Sequence, residues 1–338
     1  IVSRGMGKAC IVGCAELKID YDNNTCTANG ITIKEGDIIS IDGSEGTVYI
    51  GEVPTVEPKV TKDFQTILSW AQNIKQLGIR ANADTPDAAK LARQYGAQGI
   101  GLCRTERMFN ETDRIGLFVE MIMAQSLDER KVVLKKLQEL QKSDFIEILK
   151  AMEGYKVTIR LLDPPLHEFL PSSKNKKVLA RAKELEEVNP MMGHRGVRLG
   201  ITSPEIYEMQ IKAVFEATAE LVKKKINAKP QIMIPQVSSI AELNHIKSIY
   251  DNIKSDMEKK YRIKFKINFG TMLEVVRACL TADELADTAE FFSFGTNDLT
   301  QGVFSFSRED VEGKFLGDYM DKGLVEISPF QSIDENGV

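Results

Sequence analysis

Residues 78–106 read GIRANADTPDAAKLARQYGAQGIGLCRTE, and this stretch predicts a strand, a helix and a second strand in succession. Thr85 followed by Pro86 is typical of a helix start, because a threonine oxygen caps the first amides and proline fits the first turn. Apolar residues then recur at helical spacing until Gly96, which predicts the end of the helix. The short apolar run at 99–103 is typical of a buried strand in a parallel sheet. The stretch is therefore predicted to form a β-α-β unit.

The same alternation of strand and helix continues along the chain. Further strands are predicted at 157–162, 230–235, 264–270 and 291–295, and further helices within 113–153, from Ser203, from Ser239 and from Thr281. Ser239 and Glu242 have the spacing of a capping box, which Thr281 and Glu284 repeat. Residues 1–53 instead predict a small β-rich region of short strands and turns. Alternating elements over roughly 260 residues favour a (β/α)8 barrel, with a doubly wound open sheet as the alternative.

The composition excludes several classes of protein. The net charge of −5 gives no reason to expect nucleic acid or a membrane surface as a partner. No run approaches the roughly 20 apolar residues of a membrane-spanning helix. The five cysteines show no CxxC spacing and are predicted to be buried, reduced thiols. The three histidines form no HExxH motif, which argues against a zinc enzyme.

Polar side chains follow four of the predicted strands. These stretches are GIGLCRTE (99–106), VTIRLLDPP (157–165), INFGTMLE (267–274) and FFSFGTND (291–298). In a barrel, the carboxyl ends of the strands open onto the catalytic face. Arg104 and Arg160 would pair there with phosphate or carboxylate oxygens, while Glu274 and Asp298 would supply hard oxygen ligands to Mg²⁺. The pattern predicts a site for a small phosphorylated carboxylic acid with a divalent metal.

Simpler interpretations of the same residues stay open at this point. Either arginine alone could be a surface or salt-bridge residue. Glu274 and Arg277 have the spacing of a helical ion pair. Asn297 and Asp298 are residue types that favour turns and caps. The GHRG sequence at 193–196 could be a loop whose histidine has an ordinary hydrogen-bond partner.

Four long motifs resemble those of the phosphoenolpyruvate-utilising enzymes. They are GLCRTE (101–106), RLLDPPLHEFLP (160–171), NPMMGHRG (189–196) and FSFGTNDLTQ (292–301), in that order. Several long motifs in order are a more specific signal than one short pattern. The resemblance covers essentially the whole chain. It implies a TIM-type barrel that binds phosphoenolpyruvate or pyruvate, preceded by part of a swivelling phosphohistidine domain.

The resemblance also implies a role for each matching residue. Arg104 and Arg160 are expected to hold the phosphate and the carboxylate of the substrate, with Arg195 as a further basic contact. Glu274 and Asp298 are expected to bind Mg²⁺. The residues expected to line the substrate as well are Gly295, Thr296 and Asn297. The predicted catalytic residues are Arg104, Arg160, Glu274 and Asp298.

Two stretches resemble one branch of the family in particular, DPPLHEFLP (163–171) and FSFSRED (304–310). That branch interconverts ATP, phosphate and pyruvate with AMP, diphosphate and phosphoenolpyruvate through a phosphohistidine. The alternatives within the family are phosphoenolpyruvate synthase, which uses water in place of phosphate, and Enzyme I, which uses a small phosphocarrier protein. A binding or dimerisation module without turnover is the alternative for this chain alone.

The chain also departs from the family pattern. Arg107 stands where a histidine is expected, and Val276 stands where a proline is expected beside Glu274. The TSHA motif of the carrier histidine and the GICGE motif of the cysteine that protonates the enolate do not occur, so neither role is assigned. The chain by itself is therefore expected to be inactive.

The resulting domain prediction has three parts. Residues 1–53 are expected to be the C-terminal part of the phosphohistidine domain, residues 54–76 a linker, and residues 77–338 the barrel, without its last β/α unit. The expected partners are the phosphohistidine and nucleotide-binding domains of a longer, ATP-binding parent chain, and a second copy in a homodimer. An open barrel exposes strand edges, so lower stability than the parent is expected. A cytoplasmic location is the default expectation, with organellar targeting left open.

Overall fold

The computed structural model describes residues 9–11, 14, 16–43, 45–55, 61–109, 114–170 and 175–338. The start of the predicted phosphohistidine domain, part of the predicted linker, the first residue of the predicted helices at 113–153 and Pro171 of the second motif lie outside these residues. The chain divides into two compact units, Ile1–Gln76 and Leu77–Val338. The domain boundaries inferred from the sequence stay predictions.

The first unit contains short antiparallel strands and a helix. One sheet consists of β1 (Lys18–Asp20), β2 (Thr25–Ala28) and β3 (Ile31–Lys34), a second of β4 (Ile39–Asp42) and β5 (Thr47–Ile50), and α1 spans Lys62–Ile74. Gly36 lies between β3 and β4 with a φ of +94°, a backbone conformation that glycine adopts without steric cost. The predicted β-rich character of this region is confirmed.

In the described part of the second unit, six parallel strands form the sheet. They are β6 (Ala81–Asn82), β7 (Gly99–Arg104), β8 (Lys156–Arg160), β9 (Lys229–Ile234), β10 (Asn268–Leu273) and β11 (Phe292–Phe294). The spatial order of the strands is the same as their order in the sequence. A doubly wound sheet reverses its strand order at a switch point, whereas a TIM-type barrel does not. The strand order therefore confirms the barrel-type α/β fold and removes the doubly wound alternative.

Helices alternate with these strands. They are α2 (Pro86–Gln94), α3 (Ile115–Met123), α4 (Leu127–Ala151), α5 (Lys176–Leu185), α6 (Val197–Thr202), α7 (Pro204–Lys223), α8 (Ile240–Tyr261), α9 (Val276–Leu280), α10 (Ala282–Ala286), α11 (Thr296–Phe304), α12 (Arg308–Glu312) and α13 (Leu316–Asp321). Short 3₁₀ helices span Thr105–Phe109, Leu166–Phe169 and Pro190–Met192. Ser239 and Glu242 form the predicted capping box of α8. The predicted cap at Thr281 is wrong, because its hydroxyl donates to the Arg277 carbonyl at 3.2 Å instead.

The apolar core of the second unit lies where α7 packs against α4 and α8. Phe215 of α7 lies 5.5 Å from the Tyr250 ring of α8 and 5.0 Å from the Phe265 ring, measured between ring centroids. Burying one such side chain contributes about 1.5–3 kcal/mol to stability. This packing fixes α7 beneath the end of β8, where the candidate site begins.

The cysteines differ in part from what the sequence predicts. All five cysteines are free, but Cys10, Cys14 and Cys279 are exposed and Cys26 is only half-buried, so the prediction of buried thiols is wrong for the three exposed ones. Cys103 of β7 is fully buried. Among the helices that the structure describes, none is long and apolar enough to cross a membrane.

Candidate functional site

The centre of the candidate site is a buried arginine held by two carboxylates. Arg160, the last residue of β8, donates from Nη2 to Glu106 Oε1 at 2.7 Å, and its Nη1 lies 2.8 Å from Asp163 Oδ2. All three side chains are buried. Burial alone would lower the pKa of Arg160, but the carboxylates of Asp163 and Glu106 outweigh it and raise that pKa, so the guanidinium stays charged.

A second arginine, Arg195, also binds the carboxylate of Asp163. Arg195 donates from Nε to Asp163 Oδ1 at 3.1 Å and from Nη2 to Oδ2 at 2.5 Å, the two-pronged geometry that arginine forms with carboxylates. The next residue, Gly196, has a φ of +57°, and its N–H donates to the Asp163 carbonyl at 2.8 Å. A Cβ at this position would lie 2.7 Å from the Gln236 Cβ, so both backbone conformation and space require glycine. Asp163 thus links Arg160 and Arg195.

Glu274 follows β10 and is buried with an incomplete set of partners. Its Oε1 accepts a hydrogen bond from the Gln236 N–H at 2.7 Å, while its buried Oε2 has no hydrogen-bond partner among the described atoms. Burial first, and then the charges of Asp163 and Asp298, raise the pKa of Glu274 to about 7 against the pull of Arg160. The carboxylate is therefore placed where a further positive charge would stabilise its ionised form.

Asp298 lies in the first turn of α11, directly after β11. Burial raises its pKa although the charge of Arg195 acts in the opposite direction. Gly295 brings the two strand ends close: its N–H donates to the Leu273 carbonyl at 3.0 Å, and a Cβ there would lie 2.9 Å from Glu274 Oε2. Thr296 and Asn297 are exposed at the start of the same helix. Neither Asn297 nor Asp298 caps α11 with its side chain, so the simple capping interpretation is wrong.

Arg104 is held apart from this cluster. It lies opposite Arg160 in the register of β7 and β8, but its backbone N–H donates to Asp84 Oδ1 at 2.7 Å. Its Nη1 lies 3.8 Å from Asp84 Oδ2, and Nε of Arg107 lies 3.4 Å from the same oxygen. The structure therefore pairs Arg104 with the end of β6, while it brings Arg160, Arg195, Glu274 and Asp298 together.

A cavity of about 340 Å³ opens beside the two carboxylates. It is lined by Met191, Met192, Arg198, Gln236, Glu274, Val275, Val276, Arg277, Asp298 and Gly302. Arg277 donates to the Ser238 carbonyl at 2.5 Å, so it does not form the ion pair with Glu274 that its spacing suggested. His194 has a partner in Thr202, with 2.6 Å between Nε2 and Oγ1, which agrees with its interpretation as an ordinary loop histidine.

Gln236 is a site residue that the sequence analysis missed. It follows β9, is buried, and adopts a φ of +60°, which is uncommon for a residue with a side chain. This conformation directs its N–H at Glu274. The rule that polar residues follow the strands applies here too, and extending it to the end of β9 would have found Gln236.

The candidate site offers a metal ion two carboxylates, those of Glu274 and Asp298. No group of three or more His, Cys, Asp or Glu side chains in the described part of the chain could hold a metal ion. Glu274 and Asp298 nevertheless form a pair of carboxylates with raised pKa values at one cavity. Such a pair fits a cation that takes one or two protein carboxylates and completes its coordination with water and substrate oxygens.

Family models and individual relatives both match this chain to the same group of enzymes. The family described as "PEP-utilising enzyme, PEP-binding domain" matches residues 58–327, and the one described as "PEP-utilising enzyme, mobile domain" matches residues 1–46. The chain is 51% identical to a pyruvate, phosphate dikinase of Entamoeba histolytica, 45% identical to one of Giardia intestinalis and 46% identical to the chloroplastic pyruvate, phosphate dikinase 1 of Arabidopsis thaliana. The matches include the entire chain but only 41%, 40% and 37% of these relatives. The predicted resemblance is thus confirmed, and the chain belongs to the phosphoenolpyruvate-utilising enzyme family.

Proposed function

We propose that this chain forms the phosphoenolpyruvate- and pyruvate-binding part of a pyruvate, phosphate dikinase. The whole enzyme would interconvert ATP, phosphate and pyruvate with AMP, diphosphate and phosphoenolpyruvate through a phosphohistidine. The names of the relatives support the choice of the dikinase over phosphoenolpyruvate synthase and Enzyme I. For this chain alone we propose binding without turnover, because none of its histidines or cysteines lies in the carrier or general-acid motif.

The observation that carries this proposal is the arrangement of charge at the ends of β8 and β10. Arg160 and Arg195 share Asp163, while one buried oxygen of Glu274 has no donor among the residues that the structure describes. Fixed guanidinium groups suit phosphate and carboxylate oxygens, because they stay charged and bind in a defined plane. The neighbouring carboxylates suit a divalent cation. A small molecule with both phosphate and carboxylate groups satisfies both halves of the site.

Each predicted site residue has a proposed role. Arg160 and Arg195 hold the phosphate and carboxylate of the substrate, and Arg104 is a further basic contact from the neighbouring strand end. Glu274 and Asp298 hold Mg²⁺. The remaining residues, which line the substrate beside the metal ligands, are Gly295, Thr296 and Asn297. When bound, the cation supplies positive charge that stabilises an enolate oxygen. The chain's own residues orient the substrate and keep its charged groups out of water.

Three further properties follow only from the family and stay predictions. They are a homodimer, a cytoplasmic location, and association with the phosphohistidine and nucleotide-binding domains of a longer chain. Analytical ultracentrifugation of this chain would test the first directly.

Calorimetric titration with oxalate, a planar dianion that imitates enolpyruvate, tests the proposal. We expect oxalate to bind the wild-type chain only when Mg²⁺ is present, and binding to be lost in folded Glu274→Ala and Arg160→Ala variants. Lys156→Ala, at the opposite end of β8, is the matched control and should bind normally. A folded wild-type chain that shows no Mg²⁺-dependent binding would overturn the proposed site.

A second measurement separates the branches of the family. In the longer protein, formation of phosphoenolpyruvate from ATP and pyruvate should require inorganic phosphate. Formation without phosphate would favour the synthase, and dependence on a phosphocarrier protein would favour Enzyme I.

A further inference from the structure

Several polar groups of the backbone between Arg160 and Asp163 form hydrogen bonds. The Arg160 carbonyl accepts from Thr105 Oγ1 at 3.0 Å, and the Leu161 N–H donates to the Met233 carbonyl at 3.1 Å. The Asp163 carbonyl accepts from Gly196, as described above. This segment connects the two charged side chains at the centre of the candidate site. Any change in its path would therefore change their relative position.

Leu162, in the middle of this segment, is held by two side chains of α7. Tyr207 donates its hydroxyl hydrogen to the Leu162 carbonyl at 2.9 Å, and Gln210 Oε1 accepts from the Leu162 N–H at 2.8 Å. Residues three apart on a helix lie on one face, so a single face of α7 forms hydrogen bonds with both the N–H and the carbonyl of Leu162. Both side chains are fully buried, where water cannot replace either bond.

A further layer of contacts fixes the two side chains themselves. The Gln210 amide donates to Gln141 Oε1 of α4 at 3.3 Å, and Gln141 is also fully buried. The Tyr207 ring lies against Gly200, where an added Cβ would be only 2.4 Å from a ring carbon. Rigid packing around a hydrogen-bonding group is what holds a site in one geometry. The arrangement gives Tyr207 and Gln210 little freedom.

We propose that Tyr207 and Gln210 are positioning residues of the substrate site, acting through Leu162 to set the relative position of Arg160 and Asp163, and through Asp163 that of Arg195. This inference rests on the proposed function for its consequence in binding, but its geometrical content does not. It assigns to α7 a role in ligand affinity that burial alone would not give.

Tyr250 offers a matched control for a purely structural role. It too is buried, and its hydroxyl donates to a backbone carbonyl, that of Ile267, at 2.5 Å. Ile267 lies before the start of β10, whereas Leu162 follows the end of β8. Tyr207→Phe and Tyr250→Phe therefore remove the same kind of bond at opposite ends of the sheet.

The first test compares these variants in melting and in oxalate titration with Mg²⁺, using the whole 338-residue chain. Both variants should melt at a lower temperature. Only Tyr207→Phe should weaken oxalate binding, by about tenfold, the loss typical when a residue that orients the binding groups is removed. Gln210→Met should weaken binding similarly. Unchanged affinity in Tyr207→Phe, or equal weakening in Tyr250→Phe, would overturn the proposal.

The second test needs no ligand and so separates this proposal from the proposed function. The NMR signal of the Arg195 Nε–H, which bonds Asp163, can be assigned by its loss in Arg195→Lys. It should shift in Tyr207→Phe and stay in place in Tyr250→Phe. A shift together with no oxalate binding in the wild type would uphold the positioning role and reject the proposed substrate. No shift would reject the positioning role.

Discussion

The two ends of the same parallel sheet carry positive charge in opposite ways. At the amino end, Lys156 of β8 lies directly opposite Lys229 of β9, both are exposed, and no described carboxylate pairs with either. A cavity of about 530 Å³ lies there. At the carboxyl end of the same strand, Arg160 is buried between Glu106 and Asp163. The larger cavity thus lies beside exposed lysines, whereas the smaller cavity lies beside Glu274 and Asp298, whose pKa values burial raises and Arg160 lowers in part from the neighbouring cluster.

This difference shows that neither charge nor cavity size identifies a binding site by itself. Lys156 and Arg160 are four positions apart on one strand, so they share a face of the sheet. What distinguishes Arg160 is the set of buried partners that fixes its guanidinium. A fixed charge can bind a ligand without first losing conformational freedom, whereas a solvated lysine cannot.

The sharpest test of this contrast is removal of one cation at each end of β8. Arg160→Met should lower the free energy of unfolding by about 3–5 kcal/mol, because Glu106 would be left buried without its ion-pair partner and Asp163 would keep only Arg195. Lys156→Met should change it by less than about 0.5 kcal/mol. Urea denaturation of both variants measures the difference. Equal effects at the two ends would show that the buried cluster has no special role in stability.

The pH dependence of stability gives a second prediction, for Glu274 at the carboxyl end of the sheet. The pKa of Glu274 is raised from 4.5 to about 7 in the folded chain, so between these values the folded state holds a proton that the unfolded state has lost. The free energy of unfolding should therefore fall by about 2–3 kcal/mol as the pH rises from 4.5 to 7. Glu106 and Asp298, whose pKa values are also raised, contribute in the same direction.

Glu274→Gln should flatten the plot of unfolding free energy against pH between 4.5 and 7, because the variant has no proton to lose at that position. Saturating Mg²⁺ should also flatten it for the wild type, since a bound cation favours the ionised carboxylate. Denaturant unfolding at several pH values measures both effects. A slope unchanged by the substitution would assign the titration to other groups.

The close approach of the strand ends gives a third prediction. Gly295→Ala should destabilise the fold by about 1–3 kcal/mol and weaken Mg²⁺-dependent oxalate binding, because its Cβ would lie 2.6 Å from the Glu274 Cβ. Gly317 of α13 is a control glycine with no atom within 4 Å of an added Cβ. Gly317→Ala should stabilise the chain by about 0.5–1 kcal/mol. Thermal melting measures the opposite changes in stability of the two variants, and calorimetric titration measures the change in oxalate binding.

The smallest expected change in stability comes from substitutions at the amino end of the sheet. Replacing Lys156 and Lys229 together by glutamine should raise stability by a few tenths of a kcal/mol, because like charges directly across two strands repel each other. Lys212→Gln should lower it by about as much, since Lys212 pairs with Glu208 one helical turn away at 3.2 Å. Both effects should shrink at high salt. A loss of stability in the lysine pair variant would mean that these lysines have partners in solution.

The sequence could predict the strand ends because their cause is local. A parallel sheet brings the carboxyl ends of its strands to one edge, so polar residues after β8, β10 and β11 had to meet there. Arg160, Glu274 and Asp298 were found in this way. The pairing of those residues could not be predicted, since Arg160 and Glu106 are 54 positions apart and nothing near either residue specifies the other.

Arg104 shows the limit of the strand-end rule. Its position at the end of β7 is as predicted, but its guanidinium turns to Asp84, which follows the short strand β6. Tyr207 and Gln210 were missed because polar residues on the apolar face of a helix were not treated as a signal. Their partner is a backbone group, and no side-chain pattern reveals it.

The sequential order of the strands has a consequence for the synthesis of the protein. Each new strand pairs with the strand made before it, so the sheet can grow as the chain leaves the ribosome, and no strand must insert between two earlier ones. The charged cluster is completed later, because Asp163 follows β8, whereas Glu274 and Asp298, whose pKa values burial and the Asp163 charge raise, follow only β10 and β11. These three carboxylates can therefore come together only after most of the strands have been made. The repulsion between these carboxylates therefore arises late in synthesis, when packing of the earlier strands and helices can offset it.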